Sequence, residues 1–292
     1  MKCYVLFNPL AGKDKNKPDA SIFSEIGAEA LIYIDITTLR DHSDFLKSLQ
    51  KDDILVLCGG DGTLNRFIND TEGLPMPCDI LYLARGTGND FLQDIGGHTD
   101  GIPVKINDYI RDLPCAEVCG KTYRFLNNVG FGIDGYCCEV GDAQKKTSEK
   151  PVNYTAIAIK GLLLHYKPTN ATVTVDGQAY HYRKVWLAPT MKGRYYGGGM
   201  MATPAQDRND AEGNLSLLVF HGSGKLHTLA VFPSIFKGTH IKHKKIVSIH
   251  KGKNIHVVFD RPSTIQIDGE TITGVTEYNA KAAATAKVLE KV

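Results

Sequence analysis

No run of 18 uninterrupted apolar residues occurs anywhere in this 292-residue sequence, so no segment is built to cross a membrane as a helix. The N-terminus has only a short apolar stretch after Lys2, with no small-residue cleavage site behind it, and reads as a buried strand instead of a signal peptide. There is no C-x-x-C pair, and the seven cysteines (3, 58, 78, 115, 119, 137 and 138) are odd in number. That argues against a disulfide framework or a zinc site and for a reducing cytoplasm. Arginines are few in the basic part of the chain and no nucleic-acid-binding motif is present, which disfavours a nucleic-acid partner. Internal repeats and low-complexity tracts are also missing. The ten histidines form no spacing that suggests catalysis or metal binding.

Acidic residues are lacking from one long stretch: none occurs between Glu212 and Asp260, while seven lysines do (225, 237, 242, 244, 245, 251 and 253). The overall charge of +2 therefore hides a division. Residues 1–119 hold 11 Lys/Arg against 19 Asp/Glu, and residues 120–274 hold 20 against 11. Such asymmetry predicts two domains, the second facing something anionic. A solvated strand surface is the plainer account of the lysines taken alone.

What is present is a change of texture near residue 120. Before it, apolar strands at 2–7, 31–36, 53–58 and 79–83 alternate with helical stretches at 42–49 and 63–69, which predicts an α/β domain with a parallel sheet. After it, residues 171–180, 184–188, 215–220, 246–250, 255–259 and 264–267 alternate apolar and polar side chains. Helical stretches at 153–165 and 225–236 interrupt them. The expectation is a β-rich, sandwich-like second domain over 120–274, with residues 275–292 packing back on the first domain of residues 1–119 and residues 280–292 helical.

Three glycine-containing loops follow strands of the first domain. Gly59-Gly60-Asp61-Gly62-Thr63 lies between a strand and a helix, where unblocked N–H groups and the helix dipole suit phosphate oxygens. Asn8-Pro9-Leu10-Ala11-Gly12-Lys13 ends the first strand, and Arg85-Gly86-Thr87-Gly88-Asn89-Asp90-Phe91 follows the fourth. Each could be a simple turn or helix cap. Three of them on one parallel sheet converge on one edge and form one nucleotide site.

These motifs, in this order, resemble the diacylglycerol kinase catalytic-domain family, which includes sphingosine kinases and bacterial lipid kinases. NAD kinases and phosphofructokinases share the Gly-Gly-Asp-Gly element more distantly. Further along, Phe125 to Asp134 is similar to the family's interdomain crossing segment. Pro204-Ala205 with Glu212-Gly213-Asn214-Leu215 resembles its Pro-x-Ala and Asp-Gly-x-Leu elements, and Asp268-Gly269-Glu270 its C-terminal Asp-Gly-Glu. Locally, Asp268-Gly269 is also a good hairpin turn, like Asp176-Gly177 earlier in the chain.

The resemblance implies a cytoplasmic enzyme, peripherally associated with anionic membrane, that moves the γ-phosphoryl group of ATP to a lipid hydroxyl with the help of Mg2+. Asn8, Pro9, Leu10, Ala11, Gly12, Gly59, Gly60, Asp61, Gly62, Thr63, Leu64, Asn65, Thr87 and Asn89 would bind the nucleotide, with Thr37 (or its neighbour Thr38) contributing from the second strand. Asp61 and Asp90 would organise magnesium. Glu270, helped by Asp268, would take the hydroxyl proton. Two positions depart from the family in side-chain length: Glu117 in the magnesium network and Glu212 in a structural metal loop, both usually Asp. Arg85 stands where a small or apolar residue is usual. The site is expected between the domains, and a homodimer is allowed. Two other readings stay open, an NAD kinase-like phosphotransferase on a soluble substrate and a non-catalytic nucleotide- or lipid-binding regulator.

Overall fold

Short Val/Leu/Ile runs that stop at an asparagine, a glycine or an Asp cap become the strands of a first unit, Met1–Arg111, in this computed structural model. The structure describes residues 1–12, 16–98, 100–147, 152 and 154–283. In the first unit, β1 (Lys2–Phe7) and β2 (Ala30–Asp35) precede α1 (His42–Ser48) and β3 (Ile54–Gly59). Then follow α2 (Asp61–Asp70), β4 (Asp79–Ala84), α3 (Asp90–Asp94), the two-residue β5 (Val104–Lys105) and α4 (Asn107–Ile110). The sheet runs β2-β1-β3-β4-β5, parallel through its first four members, with β5 antiparallel. Residues 55–59 of β3 are buried without a break, as a strand covered on both faces requires.

The second unit, Asp112–Val292, opens with β6 (Cys115–Val118), β7 (Lys121–Arg124) and β8 (Asn128–Gly132), followed by α5 (Ile133–Thr147) and α6 (Tyr154–Lys160). A π-helical turn (Gly161–His165) prolongs α6. Next come β9 (Thr169–Val175), β10 (Gln178–Val185), β11 (Leu187–Met191), β12 (Tyr195–Tyr196), β13 (Met200–Met201) and β14 (Leu215–Phe220). After α7 (Lys225–Val231) and two 3-10 segments, Phe232–Lys237 and Thr239–Lys242, the chain ends its described part with β15 (Val247–Gly252), β16 (Asn254–Ile267) and β17 (Glu270–Lys281). Ten of these strands form one curled antiparallel sheet. β16 serves two parts of it, pairing with β9 through residues 255–259 and with β8 through 265–267. Its register breaks between Val258 and Ser263, around Pro262, which has no N–H to give the ladder.

One core lies inside the curl, with Phe131 stacked on Phe259 at 4.5 Å between ring centroids. A second core lies between the sheet and the helical layer, where Ile133, Ile157, Leu162, Val231 and Ile235 meet Trp186 and Phe220. The fold class is the expected one, a parallel-sheet α/β unit followed by a β-rich sandwich.

Two expectations need correction. The division falls between Arg111 and Asp112, not after 119, because β6 pairs with β7 and β17. The tail expected to be helical from Ala280 begins as strand: Ala280 and Lys281 end β17, which pairs with β16 and β6 of the second unit, and residues 284–292 lie outside the described residues. Helix α5 was not expected, since Gly135 and Gly141 weaken its helical signature. Both are needed for close approach. A Cβ on Gly135 would sit 2.2 Å from the Thr264 carbonyl oxygen, and one on Gly141 2.6 Å from the Tyr154 ring.

Candidate functional site

The strand order reverses between β1 and β3, because β1 leads outward to β2 while β3 leads the other way to β4. In open parallel sheets the crevice beyond the carboxyl ends at such a point is where ligands bind. Both loops at this place are the expected ones. The Asn8 side-chain amide donates to the Thr63 hydroxyl at 2.9 Å, and its Oδ1 accepts from the Leu10 N–H, so one side chain ties β1 to the first turn of α2. Gly59 must lack a side chain, since a Cβ there would lie 2.5 Å from the Thr63 hydroxyl oxygen.

The third loop joins them backbone to backbone. A Cβ on Gly86 would approach the Gly60 Cα to 2.7 Å, and one on Gly12 the Arg85 carbonyl oxygen to 2.0 Å. Gly12 also holds φ +73°, a conformation that favours glycine. Arg85 donates through its guanidinium to the Asn16 carbonyl at 2.8 Å, fastening the loop after β1. Helix α2 starts at Asp61 behind Gly60, which offers no side-chain cap, and the space beside Gly62 is open.

Asp61 has a structural task that its sequence context does not reveal. Its two carboxylate oxygens accept from the backbone N–H groups of Asp90 at 2.8 Å and Phe91 at 3.2 Å, capping α3 across the loops. Asp90 is itself buried. Asn89 sits in the left-handed region at φ 51°, holding the Gly86 carbonyl through its Nδ2, and its buried Oδ1 has no hydrogen-bond partner. Among the described residues no group of three or more Asp, Glu, His or Cys converges on a metal position. Magnesium keeps much of its water and needs only one or two carboxylates beside phosphate. Asp61 and Asp90 fit that role, and do not make a protein cage.

The other expected nucleotide contacts are uneven. Thr87 and Thr37 are exposed at the sheet's carboxyl edge, although the Thr37 hydroxyl donates to Asp35 at 2.7 Å and the Thr38 hydroxyl to the Asp35 carbonyl. Pro9 and Ala11 line the loop, and Leu10 is exposed. Leu64 points into the core, and Asn65 receives the Asn69 amide. Lys13 lies outside the described residues.

In the second unit the Asp-Gly-Glu turn separates its two carboxylates by role. Asp268, at φ 46°, accepts backbone N–H groups from Leu126, from Asn127 at 2.8 Å and from Asn128 at 2.9 Å. Three such donors commit its carboxylate to the crossing segment. Glu270, two residues on, is exposed. The look-alike turn uses the same device: Asp176, at φ 47°, accepts from the N–H groups of Lys253 and Asn254. Two further metal candidates are placed differently from expectation. Glu117 lies on β6 and is ion-paired with Lys281 at 2.6 Å. Glu212 receives the Asn214 amide at 3.0 Å in a loop whose Asp210 binds the Lys251 ammonium. A lysine cation thus already supplies positive charge there, and a metal does not fit this donor set.

Two residues around the crossing segment carried no assigned role in the sequence. Arg208 is buried and donates to the Leu126 carbonyl and to Asn127 Oδ1. Asp134 is buried, receives the Gln266 amide at 3.2 Å, and has its other oxygen unpartnered. Burial pushes its carboxyl up to about 6, against hydrogen bonds that pull it down. Gln266 in turn accepts from the Gly269 N–H, linking Asp134 to the Asp-Gly-Glu turn. The available signal was an aspartate ending an otherwise apolar run.

The diacylglycerol kinase catalytic domain family matches residues 2–114, and the YegS C-terminal NAD kinase beta sandwich-like domain family matches residues 127–288. A diacylglycerol kinase of Staphylococcus carnosus is 26% identical over 275 residues, 91% of this chain and 87% of that protein. One from Bacillus subtilis is 23% identical, over 91% and 88% respectively. A solved structure of a diacylglycerol kinase from Bacillus anthracis is 20% identical with a TM-score of 0.64, covering 97% of this chain and 94% of that one. At that identity the structural likeness speaks for the fold alone.

Proposed function

Since this chain belongs to the diacylglycerol kinase catalytic-domain family, we propose that it transfers the γ-phosphoryl group of ATP to the hydroxyl of diacylglycerol or a related lipid alcohol. The observation that supports this most is the three-loop cradle at the reversal point of the first sheet, closed by the Gly12, Gly60 and Gly86 backbone contacts. Its open side is the start of α2, where N–H groups and the helix dipole attract phosphate. Asn8 and Thr63 hold the cradle in register. Asp61 and Asp90 would hold magnesium, which neutralises charge between phosphates when bound.

For the acceptor, Glu270 is the base we assign, from its place in the family pattern and its exposed carboxylate. The lipid oxygen attacks the γ-phosphorus, the bond to the β-phosphate oxygen breaks to release ADP, and Glu270 receives the hydroxyl proton. Asp268 positions the turn from which Glu270 extends and is no longer assigned to proton transfer. Glu117 and Glu212 are likewise not part of the proposed magnesium set.

The test is transfer of γ-radiolabel from ATP across a panel of lipid alcohols, with NAD as a soluble competitor, resolved by thin-layer chromatography. Label in a lipid product is expected. Label in NAD instead, or nucleotide binding without transfer to any lipid, would overturn the reading.

A further inference from the structure

The helical layer of the second unit uses two sets of apolar side chains, and only one is explained by folding. Ile157, Leu162, Val231 and Ile235 face the core. Leu163, Leu164 and Leu226 face out, with exposures of 36%, 66% and 77%, and so do Ile159, Phe236 and Ile241. They form one surface because the elements adjoin: α7 packs on the π turn, the 3-10 segment Phe232–Lys237 on α7, and Thr239–Lys242 on that segment. The Lys225 ammonium donates to the Leu163 carbonyl at 2.9 Å, which fixes the start of α7 beside the π turn. π turns in helices are uncommon and concentrate at functional places.

Outside α5, which carries Glu139 and Asp142, the charge of this layer is of one sign. No Asp or Glu occurs from 151 to 175 or from 213 to 259, and Lys160, Lys225, Lys237, Lys242, Lys244 and Lys245 are all exposed. Lys244 and Lys245 lie in the turn before β15, not on a strand, so both can face the same way. Exposed leucines and phenylalanine among lysines, with no carboxylate, is the composition of a segment that lies in a lipid headgroup layer. A second copy of the same face would meet it with like charge, which disfavours self-association through it.

We propose that this layer, from α6 through its π turn to the 3-10 segment after α7, docks the chain on anionic bilayers. Leu163, Leu164 and Leu226 enter the headgroup region and the lysines bind lipid phosphates. The surface gives the proposed lipid kinase a route to an acceptor that stays in the bilayer, and it rests on that reading for its purpose only.

Co-sedimentation of the full chain with phosphatidylcholine vesicles, with and without phosphatidylglycerol, tests it. Binding should require the anionic lipid and weaken as salt rises. Leu164→Ser with Leu226→Ser should lower the vesicle affinity by at least about tenfold, since two leucine side chains leave the apolar layer. Lys160→Glu with Lys237→Glu and Lys242→Glu should remove most of the salt-dependent part. Both variants should keep the parent's melting temperature and nucleotide affinity. Unchanged vesicle binding in either variant, equal binding to neutral vesicles, or a dimer that dissociates on the two serine substitutions would each overturn the proposal. Binding that behaves as expected while no lipid is phosphorylated would leave the surface standing and remove the kinase reading.

Discussion

Asp61 shows how one residue can be recognised for its chemistry while its structural work stays hidden. The Gly-Gly-Asp-Gly-Thr loop pointed to phosphate and magnesium, and on that reading Asp61→Ala should leave thermal unfolding almost unchanged. The carboxylate in fact receives two backbone N–H groups of α3, from residues 29 and 30 positions away, a contact no local pattern can disclose. Asp61→Ala is therefore expected to cost about 1–2 kcal/mol, as loss of a helix cap does, and also to reduce turnover by about 10²-fold or more. Asp61→Asn should recover part of the stability, because its oxygen still accepts one bond, but not the turnover. Urea denaturation beside steady-state kinetics separates the two effects. Equal turnover in Asp61→Asn and the parent would remove the magnesium role. At Glu270 the opposite balance holds: Glu270→Gln should lower kcat by about 10²–10⁴-fold and shift stability by no more than about 0.5 kcal/mol, since the side chain is exposed.

At the scale of elements, the strands and the three loops were legible because their signals are local: apolar runs, then glycine, then a helix start. Helix α5 was not, since the glycines that let it pack against β16 and α6 are the residues that blur a helical pattern. The long β16 read as two strands because Pro262 breaks its ladder. The two Asp-Gly turns looked alike in sequence, and they are alike in structure, each Asp pinning the backbone of a neighbouring strand or crossing segment. Asp268→Ala should destabilise the chain by about 1–3 kcal/mol, because part-buried donors are left unpaired, and Asp176→Ala by about 1 kcal/mol or less, because its donors are exposed and water replaces the carboxylate. Asp268→Ala should cost more, with three donors released at a partly buried site. Urea midpoints for the two variants decide it. A neutral Asp268→Ala would show that the crossing segment holds itself.

Across the whole molecule, the division of charge between the halves was visible in the sequence, but the sign of its pH dependence was not, because that depends on which ionisable groups are buried. Asp134 has its carboxyl raised to about 6, mainly by burial, with Tyr166, Tyr196, Tyr278 and Cys137 around it and Gln266 as its amide partner. A raised carboxyl costs stability once the unfolded chain can ionise. The cost is absent below pH ~4, grows as pH rises, and is complete above pH ~6. Its size is about 2–3 kcal/mol, at 1.36 kcal/mol per pH unit of displacement. His221, His240 and His250 act oppositely, since burial lowers them and their neutral form is the folded one; their contribution is lost as pH falls below about 6.5. Asp210, lowered by the Lys251 ammonium, adds stability that disappears in stronger acid. The total is a broad optimum in which no single group is visible, so a difference between two chains is the informative measurement. Asp134→Asn should be more stable than the parent above pH 6, and the two curves should converge below pH 4. The histidine and Asp210 contributions cancel in that difference because both chains share them. Parallel urea titrations at about pH 4, 5, 6 and 8 provide the curve. A constant offset at all four would mean that Asp134 is held as an anion by partners that outweigh its burial.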